Sequence, residues 1–506
     1  MLAARLTAIN DTLGELCDPV REVAILTQVN TSDNAKFQGG SQVVGLQDGG
    51  YLVVWQDESD NYNPPFGDTI VGQRYDSAGN KVGGEVQLSQ LPPLGLQFSP
   101  AVAVLSNGNI AVAYVDLRGS PPDRDIHVSI FDSALNFIRF DDIDVAGNPK
   151  QTYEPSLTAL AGGGYVVSYT VGTGDSPGTI SDTDIVARIV SANGTVGNQF
   201  DIDNQNDNKN FSKVATLANG NFVVVYQDES DGNATDVDVK YAIRKSDGTP
   251  AGNGVVSGAN DGGLEVDPDV AALRDGGFVV VWTDDANTAV TEIRATILSN
   301  TGAPVASNFR VDSVLGGQIG GQHDASVVSL ADGGFLVSWA DDNHNLVVAQ
   351  RFDALGNKIG AQVTAKDGVD HSDAALLSDG RIAFAIDDFD ATPAPGDEDV
   401  NTSIWDPRTP EHNFDGINQS DFLWQHDNGL AAVWLLHDTS VAFNGAVGPN
   451  VGPSWHLIDD GDFNADGRSD FLWQNDSGQA AVWGLNNGTT SRTAPRSVRI
   501  PARPGT

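Results

Sequence analysis

One short phrase recurs seven times in this 506-residue chain and restricts its fold more than any other feature. In each copy an apolar run leads into a turn ending in glycine, and a second run of mostly apolar residues follows, as in VVGLQDGGYLVVW and VAALRDGGFVVVW. The copies are centred on Gly49, Gly108, Gly163, Gly220, Gly276, Gly333 and Gly380. Successive glycines lie 47 to 59 residues apart, which indicates one supersecondary unit per repeat.

Each phrase predicts a β-hairpin, because Asp-Gly and Asn-Gly tolerate the positive φ of a two-residue turn. A third alternating run follows, such as DIHVSIFDSALN, and then a short fourth run, such as EVQLSQ. Four antiparallel strands repeated seven times are typical of propeller blades. The sequence therefore predicts an all-β chain forming a seven-bladed β-propeller with four-stranded blades, with an array of β-sandwiches as the alternative.

The seventh repeat has only three strands, the last being DVNTSIWD, whereas an additional run, EVAILTQVN (Glu22 to Asn30), precedes the first hairpin. We expect this N-terminal strand to complete the seventh blade. The predicted domains are an extension (1–21), the propeller (22–408), two repeats of another kind (409–490) and a basic, disordered tail (491–506).

Aromatic and acidic side chains recur at fixed steps after the central glycines. Six residues on stand Trp55, Tyr114, Tyr169, Tyr226, Trp282 and Trp339, with Ile386 in the seventh copy. Packing between blades explains them. Two residues further on stand Asp57, Asp116, Asp228, Asp284, Asp341 and Asp388. The connections between repeats are also acidic (NTSDN, DNQNDN, EVDPD, DHSD), so we expect a solvent-facing acidic face that binds cations or is simply hydrated.

The chain carries 28 Lys and Arg against 68 Asp and Glu, a formal net charge of -40. Such a polyanion is repelled by nucleic-acid phosphates and by anionic lipid headgroups, so nucleic acid is excluded as a partner. The sequence has no run of 18 apolar residues, and we expect no membrane insertion. Its one cysteine, Cys17, cannot form an internal disulfide.

A different repeat occupies the C-terminal part: SDFLWQHDNGLAAVW (Ser420 to Trp434) recurs as SDFLWQNDSGQAAVW (Ser469 to Trp483). Before the second copy stands GDFNADGRSD, which offers oxygen ligands at alternate positions around a glycine, the arrangement that a calcium ion needs. The predicted ligands are Asp462, Asn464, Asp466, the carbonyl of Arg468, and Asp470. The earlier stretch NFDGINQSD keeps Asn413, Asp415 and Asp421 but has Ile417 at a ligand position, so it predicts a degenerate site.

These C-terminal motifs resemble the FG-GAP/VCBS repeats of secreted bacterial proteins and of integrin-like propellers, over roughly residues 410 to 490. The seven glycine-centred repeats are more loosely similar to the repeat regions of large exported bacterial proteins. The resemblance implies a calcium-stabilised extracellular propeller that acts in adhesion or in binding a glycan or a cell-surface protein. The start of the sequence, MLAARLTAINDTLGEL, lacks a basic region followed by a long apolar run, so we expect export without a cleaved N-terminal signal peptide.

No catalytic motif of a known class is convincing in the sequence. The pattern GxSxG occurs at Gly174 to Gly178, but a strand-like segment follows it where a nucleophile elbow needs a helix. We therefore expect a non-enzymatic binding protein. Two alternatives stay open: a polysaccharide hydrolase or lyase that uses propeller carboxylates, and an architectural spacer of a larger exported protein.

Overall fold

The structure is a computed structural model. The residues that it describes are 21–30, 37–58, 68–90, 96–118, 123–144, 151–173, 181–205, 208–229, 237–257, 263–285, 291–312, 321–344, 346–367, 371–389, 398–407, 414, 421–437, 440–461, 469–486, 490–491 and 496–498. Throughout these residues the regular secondary structure is β-strand, so the predicted all-β class is confirmed. No helix in the described part of the chain has the length and hydropathy that a membrane crossing requires.

The chain divides into two compact units. The larger comprises Val23–Asn357 and Thr364–Trp405, and the smaller comprises Met1–Glu22, Lys358–Val363 and Asp406–Thr506.

The larger unit is built from four-stranded antiparallel sheets, an arrangement like that of a β-propeller. Its strands are β1 (Arg21–Gln28), β2 (Gln38–Gly45), β3 (Tyr51–Asp57), β4 (Thr69–Tyr75), β5 (Lys81–Gln87), β6 (Leu96–Val104), β7 (Ile110–Arg118), β8 (Asp123–Phe131), β9 (Phe137–Asp142), β10 (Gln151–Ala159), β11 (Tyr165–Thr173), β12 (Ser181–Val190), β13 (Phe200–Asp203), β14 (Lys209–Thr216), β15 (Phe222–Glu229), β16 (Val237–Arg244), β17 (Pro250–Val255), β18 (Glu265–Ala272), β19 (Phe278–Asp284), β20 (Glu292–Leu298), β21 (Pro304–Arg310), β22 (Gln322–Ser329), β23 (Phe335–Asp341), β24 (Leu346–Phe352), β25 (Lys358–Asp367), β26 (His371–Leu376), β27 (Ile382–Phe389) and β28 (Glu398–Asp406).

Successive groups of four strands form successive sheets, starting with β2 to β5 and ending with β22 to β25. The first strands, β2, β6, β10, β14, β18, β22 and β26, each contact the next, and β26 contacts β2. These contacts close into a cycle, so the first strands are the innermost ones.

The N-terminal strand completes the sheet of the last repeat, in the strand order β1-β28-β27-β26. The amide of Val29 donates a hydrogen bond to the carbonyl of Val400 (2.7 Å), and Asn30 Nδ2 donates to Asp399 Oδ1 (2.9 Å). The predicted pairing of an N-terminal strand with the seventh repeat is confirmed. Strand β28 would otherwise present an unpaired edge.

The central glycines form the predicted hairpins, but with a longer turn than the sequence suggested. Gly49, with φ of 91°, donates its amide proton to the carbonyl of Leu46 (3.1 Å), and the amide of Leu46 donates to the carbonyl of Gly50 (2.8 Å). This pattern matches a three-residue loop in which the glycine alone takes the left-handed conformation, not a two-residue turn. The other six central glycines have φ between 82° and 98°.

The recurring aromatic residues pack between neighbouring sheets, as predicted. All six are buried, and so is Ile386 in the seventh repeat. Trp55, for example, shares a cluster with Ala383 and Val400 of the sheet that β1 completes. Apolar clusters of this kind join six neighbouring pairs of sheets among the residues that the structure describes.

The smaller unit contains two further β-structures. Its strands are β29 (Phe422–Gln425), β30 (Ala431–His437), β31 (Ser440–Val447), β32 (Trp455–Gly461), β33 (Asp470–Asn475), β34 (Ala480–Trp483), β35 (Leu485–Asn486), β36 (Thr490–Ser491) and β37 (Arg496–Val498). Strands β29, β30 and β31 form one sheet, and β32, β33, β34 and β37 form another. An apolar cluster that includes Val433 and Trp473 joins them.

Candidate functional site

Six of the seven innermost strands carry a β-bulge at the same place. On β18, Val266 pairs with Thr283 but Asp269 pairs with Val281, so three steps along β18 oppose two steps along its partner. Within each bulge one residue has φ between 50° and 62°. These residues are Gly40, Ser99, Glu154, Phe211, Asp267 and Asp324. Five of them are not glycine, and a left-handed conformation at such residues costs roughly 1–2 kcal/mol. Strained backbone of this kind tends to occur at functional sites.

Four of the bulges, those of β2, β14, β18 and β22, line a pocket of about 220 Å³ together with β26, so five of the innermost strands contribute. Its polar lining residues are Gln42, Lys213, Asp267, Asp269, Asp324, Ser326, His371, Ser372 and Asp373. Four carboxyl groups therefore face two basic side chains, those of Lys213 and His371. Concave sites with converging polar groups are where ligands usually bind.

Two of the four carboxyl groups hold neighbouring strands together. Asp269 Oδ2 accepts the amide proton of Val327 (2.8 Å), and Asp373 Oδ2 accepts that of Val43 (2.8 Å). Asp373 Oδ1 also accepts the hydroxyl proton of Ser326 (3.2 Å). Burial raises the pKa of Asp373. Because these oxygens are engaged with adjacent strands, Asp269 and Asp373 shape the pocket.

The other two carboxyl groups, on the adjacent bulges of β18 and β22, have opposite pKa shifts. Burial, assisted by the negative charge of Asp324, raises the pKa of Asp267 to about 6. Burial alone would raise the pKa of Asp324 as well, but a hydrogen bond from His323 and the electrostatic effects of His371 and Lys213 outweigh it, so its pKa is lowered. The side chain of Asp324 is 34% exposed, which leaves it accessible to a ligand.

His323 accounts for much of this difference. Its Nδ1 lies 3.1 Å from Asp324 Oδ2, and its Nε2 lies 2.8 Å from Asp342 Oδ1. The hydrogen bond with Asp324, opposed by burial and supported by Asp342, raises the pKa of His323 to about 9. The imidazolium is therefore charged at neutral pH and keeps Asp324 ionised.

Below about pH 6 the pocket pairs a carboxyl group that holds its proton with one that is ionised, an arrangement suited to general acid–base or nucleophilic catalysis. Glu154, on the bulge of β10, lies outside the set of residues that line this pocket. Burial raises its pKa, and its Oε2 accepts the amide proton of Phe211 (2.9 Å).

The sequence carries a signal for this site in the acidic segments that connect the repeats. EVDPD contains Asp267 and Asp269, and DHSD contains His371 and Asp373, but these segments were expected on a solvent-facing rim. The bulge position itself recurs in sequence as a polar residue before proline, in Ser99-Pro100, Glu154-Pro155 and Asp267-Pro268. Proline at the same place in successive strands is a known mark of bulges.

The expected solvent-facing acidic face is wrong for every member whose side chain the structure describes. Asp57, Asp116, Asp228, Asp284 and Asp341 are all buried. Each follows the packed aromatic by two residues, and side chains two apart in a strand share a face. The two-residue step therefore places each aspartate on the same buried face of its strand as the aromatic residue, and not on a solvent-facing surface. The side chain of Asp388 lies outside the described set.

Side chains from neighbouring strands compensate these buried charges. Lys240 Nζ lies 2.7 Å from Asp228 Oδ1, and Arg294 Nε lies 2.7 Å from Asp284 Oδ2. Among the residues that the structure describes, no group of three or more His, Cys, Asp or Glu side chains is arranged to hold a metal ion. Asp228 and Asp284 are thus structural ion-pair partners.

Most of the predicted calcium loop lies outside the described residues, namely Asp462, Asn464, Asp466 and Arg468, as do Asn413 and Asp415 of the degenerate loop. The last aspartate of each loop is described and buried. Asp470 Oδ1 accepts the amide proton of Leu485 (2.8 Å), and Asp421 Oδ2 accepts that of Phe414 (2.9 Å). Asp470 thus bonds a residue that follows it in sequence and Asp421 one that precedes it, so these two contacts are not equivalent in the two repeats.

No protein-family model matches the chain, and no curated protein matches it either. Solved structures do. A protein of unknown function from Dyadobacter fermentans has a TM-score of 0.49 at 11% identity, over 77% of this chain and 100% of its own. The polysaccharide lyase Uly1 gives 0.47 at 10%, over 76% and 95%. An α-L-arabinanase from Penicillium chrysogenum, solved with arabinobiose, gives 0.43 at 13%, over 76% and 98%.

These comparisons correct two predictions, that the chain is not an enzyme and that it is a non-enzymatic adhesion or ligand-binding protein. The finding against both is that the solved structures similar to this chain include enzymes, such as the lyase and the arabinanase.

Proposed function

We propose that the chain is a seven-bladed β-propeller enzyme that hydrolyses glycosidic bonds in its central pocket. The closed cycle of contacts among seven innermost strands supports the blade count. The observation that carries the function is the pair Asp267 and Asp324, which line one pocket with opposite pKa shifts.

In this proposal Asp267 is the general acid and Asp324 is the ionised partner. With a pKa of about 6, Asp267 keeps its proton in mildly acidic solution and can donate it to the leaving-group oxygen of a glycoside. Asp324 then acts either as a base on a water molecule or as a nucleophile at the anomeric carbon. Both mechanisms require two carboxyl groups on either side of the bond.

The charge of the pocket favours hydrolysis of a neutral sugar over the lyase alternative. Lyases act on uronates, which carry a carboxylate in each sugar ring that must be neutralised. Here four carboxyl groups line the pocket against Lys213 and His371, and an anionic substrate would be repelled. A neutral polysaccharide carries no such penalty.

An activity screen tests this function. The protein is incubated with neutral and with uronate-containing polysaccharides, and new reducing ends are measured alongside the unsaturated products of a lyase. We expect reducing ends from a neutral polysaccharide, and a loss of about 10²- to 10⁴-fold in kcat for Asp267→Asn and for Asp324→Asn. Asp353→Asn, in an exposed turn where Asp353 accepts the amide of Asn357, is the matched control. Full activity in Asp267→Asn would refute the assignment.

We also propose that the loop from Asp462 to Asp470 binds calcium and that the protein works outside the cell. The support is the spacing of its oxygen ligands. A ligand that binds only the folded state at a hundredfold excess over Kd stabilises it by about 2.7 kcal/mol. Calcium should therefore raise the melting temperature, and Asp466→Ala should abolish this rise, whereas Asp415→Ala in the degenerate loop should leave it. Calorimetry measures both, and a calcium response that persists in Asp466→Ala contradicts the site.

A further inference from the structure

The two C-terminal repeats place identical aromatic residues in opposite environments. The first aromatic triad consists of Phe422, Trp424 and Trp434, and the second of Phe471, Trp473 and Trp483. Members of the first triad are 38%, 52% and 42% exposed, whereas those of the second are at most 2% exposed. The local sequences, SDFLWQ and AAVW, are the same in both repeats. The difference must therefore come from what covers each triad.

The second triad is covered by the other face of the first repeat. Along β30 the side chains alternate, so that Ala431, Val433 and Leu435 are buried while Trp434 is exposed on the opposite side. The buried three belong to the same apolar cluster as the second triad. Each repeat thus has an aromatic face and an aliphatic face, and one aromatic face lies on one aliphatic face.

The second repeat has an aliphatic face of its own. Leu472 pairs with Val482 across β33 and β34, as Leu423 pairs with Val433 in the first repeat. Leu472 and Val482 alternate with Trp473 and Trp483, and both are only partly buried. The first repeat therefore leaves its aromatic face exposed, and the second leaves its aliphatic face only partly covered. These two faces are the counterparts of the aliphatic and aromatic faces that already pack together inside the chain.

We propose that the first aromatic triad is a docking surface for a second copy of this chain, which seats its Leu472–Val482 face on it. The rings of Trp424 and Trp434 are 5.9 Å apart at 52°, close to the 5.1 Å and 51° of Trp473 and Trp483. The two tryptophans of the first triad thus have nearly the same arrangement as the pair that accepts an aliphatic face in the same molecule. Tilted rings also offer no flat platform for stacking a sugar.

The contact is head to tail, so each added copy leaves one face of each kind free, and the assembly grows as a filament or closes into a ring. The net charge of -40 opposes the approach of two copies. Because salt shortens the range of that repulsion to about 3 Å at 1 M, association strengthens as ionic strength rises.

Sedimentation velocity of the full chain, over a range of protein and salt concentrations, tests the proposal. We expect the wild type to associate increasingly with concentration, and Trp424→Asp and Leu472→Asp each to stay monomeric. Leu355→Asp, at a residue that is 65% exposed in the larger unit, is the matched control and should associate like the wild type. Val482→Thr, which keeps the size of the side chain, should weaken association without unfolding the repeat.

Mixing the two monomeric variants gives the sharpest readout, because Trp424→Asp retains the aliphatic face and Leu472→Asp retains the aromatic one. The mixture should form dimers and nothing longer. A wild type that is monomeric at every concentration and salt would overturn the proposal. So would dimers in either variant alone, or a Trp424-dependent change in tryptophan fluorescence with a polysaccharide in a wild type that stays monomeric.

Discussion

The bulges on β18 and β22 differ from those on β2 and β6 in chemistry but not in backbone conformation. Asp267 and Asp324 have φ of 53° and 50°, and Ser99 and Gly40 have 53° and 62°. The repeated sheet supplies one geometry on six of the seven innermost strands. Which sheets take part in chemistry then depends on the residue at a single position, and on the electrostatic effects of His323 and Lys213 nearby.

The largest expected effect separates the geometry of a bulge from its chemistry. Gly40 shows that glycine takes the bulge conformation, so Asp267→Gly and Asp324→Gly should preserve the backbone while removing the carboxyl group. We expect kcat to fall about 10²- to 10⁴-fold in each variant. Ser99→Gly makes a comparable change in a bulge without an acid and should keep the wild-type rate. Hydrolysis of the polysaccharide identified by the screen is the measurement, and equal losses in all three variants would show that the bulge matters only structurally.

The sequence predicted the parts of the fold that depend on local pattern. Glycine at the turns, alternation in the strands and an extra N-terminal strand led to the hairpins, the apolar layers and the pairing of β1 with β28. These features are readable because each follows from neighbouring residues and a period of two.

The candidate site was not predicted, because its residues meet only when the innermost strands come together. Asp267 and Asp324 are 57 residues apart in sequence, and a bulge is a single extra residue that the repeat spacing does not reveal. The acidic face failed for a related reason: the alternation was applied to Asp57 and its counterparts, but the buried layer extends further along the strand than the last aromatic.

The next effect is the dependence of kcat/KM on pH, in which the alkaline limb reports the pKa of Asp267 and the acid limb that of Asp324. In the wild type kcat/KM should be highest below about pH 6, the pKa of Asp267, and should fall again only in acid below the ordinary range of Asp, because the pKa of Asp324 is lowered. Above pH 6 it should fall tenfold per pH unit, because the general acid has lost its proton. His323 lowers the pKa of both Asp324 and Asp267. His323→Gln should therefore move both limbs of the profile to higher pH.

The control for that shift is His456→Gln, which removes the histidine of an exposed His–Asp pair, with Nε2 2.7 Å from Asp476 Oδ1. Its profile should coincide with that of the wild type. If His323→Gln lowers kcat but leaves both limbs of the pH profile in place, His323 acts by supporting the fold and not by lowering the pKa values of Asp267 and Asp324.

The smallest expected effect measures the strain that the bulges share. Gly40 has φ of 62°, and a methyl group added there would have no atom within 4 Å, so Gly40→Ala changes only the backbone preference. It should lower the free energy of unfolding by about 1 kcal/mol, because alanine disfavours the left-handed conformation. Ser99→Gly relieves the same conformation at the equivalent position and should raise the free energy of unfolding by up to about 1 kcal/mol, less the greater chain entropy of glycine in the unfolded state. Denaturant unfolding of the two variants, with m-values compared to confirm a common unfolding reaction, gives both numbers. Changes of opposite sign in the free energy of unfolding at these equivalent positions would show that the repeated sheet, and not the residue at the bulge, imposes the bulge geometry. An unchanged free energy of unfolding in Gly40→Ala would mean that the bulge of β2 relaxes and is not held as its counterparts on β18 and β22 are.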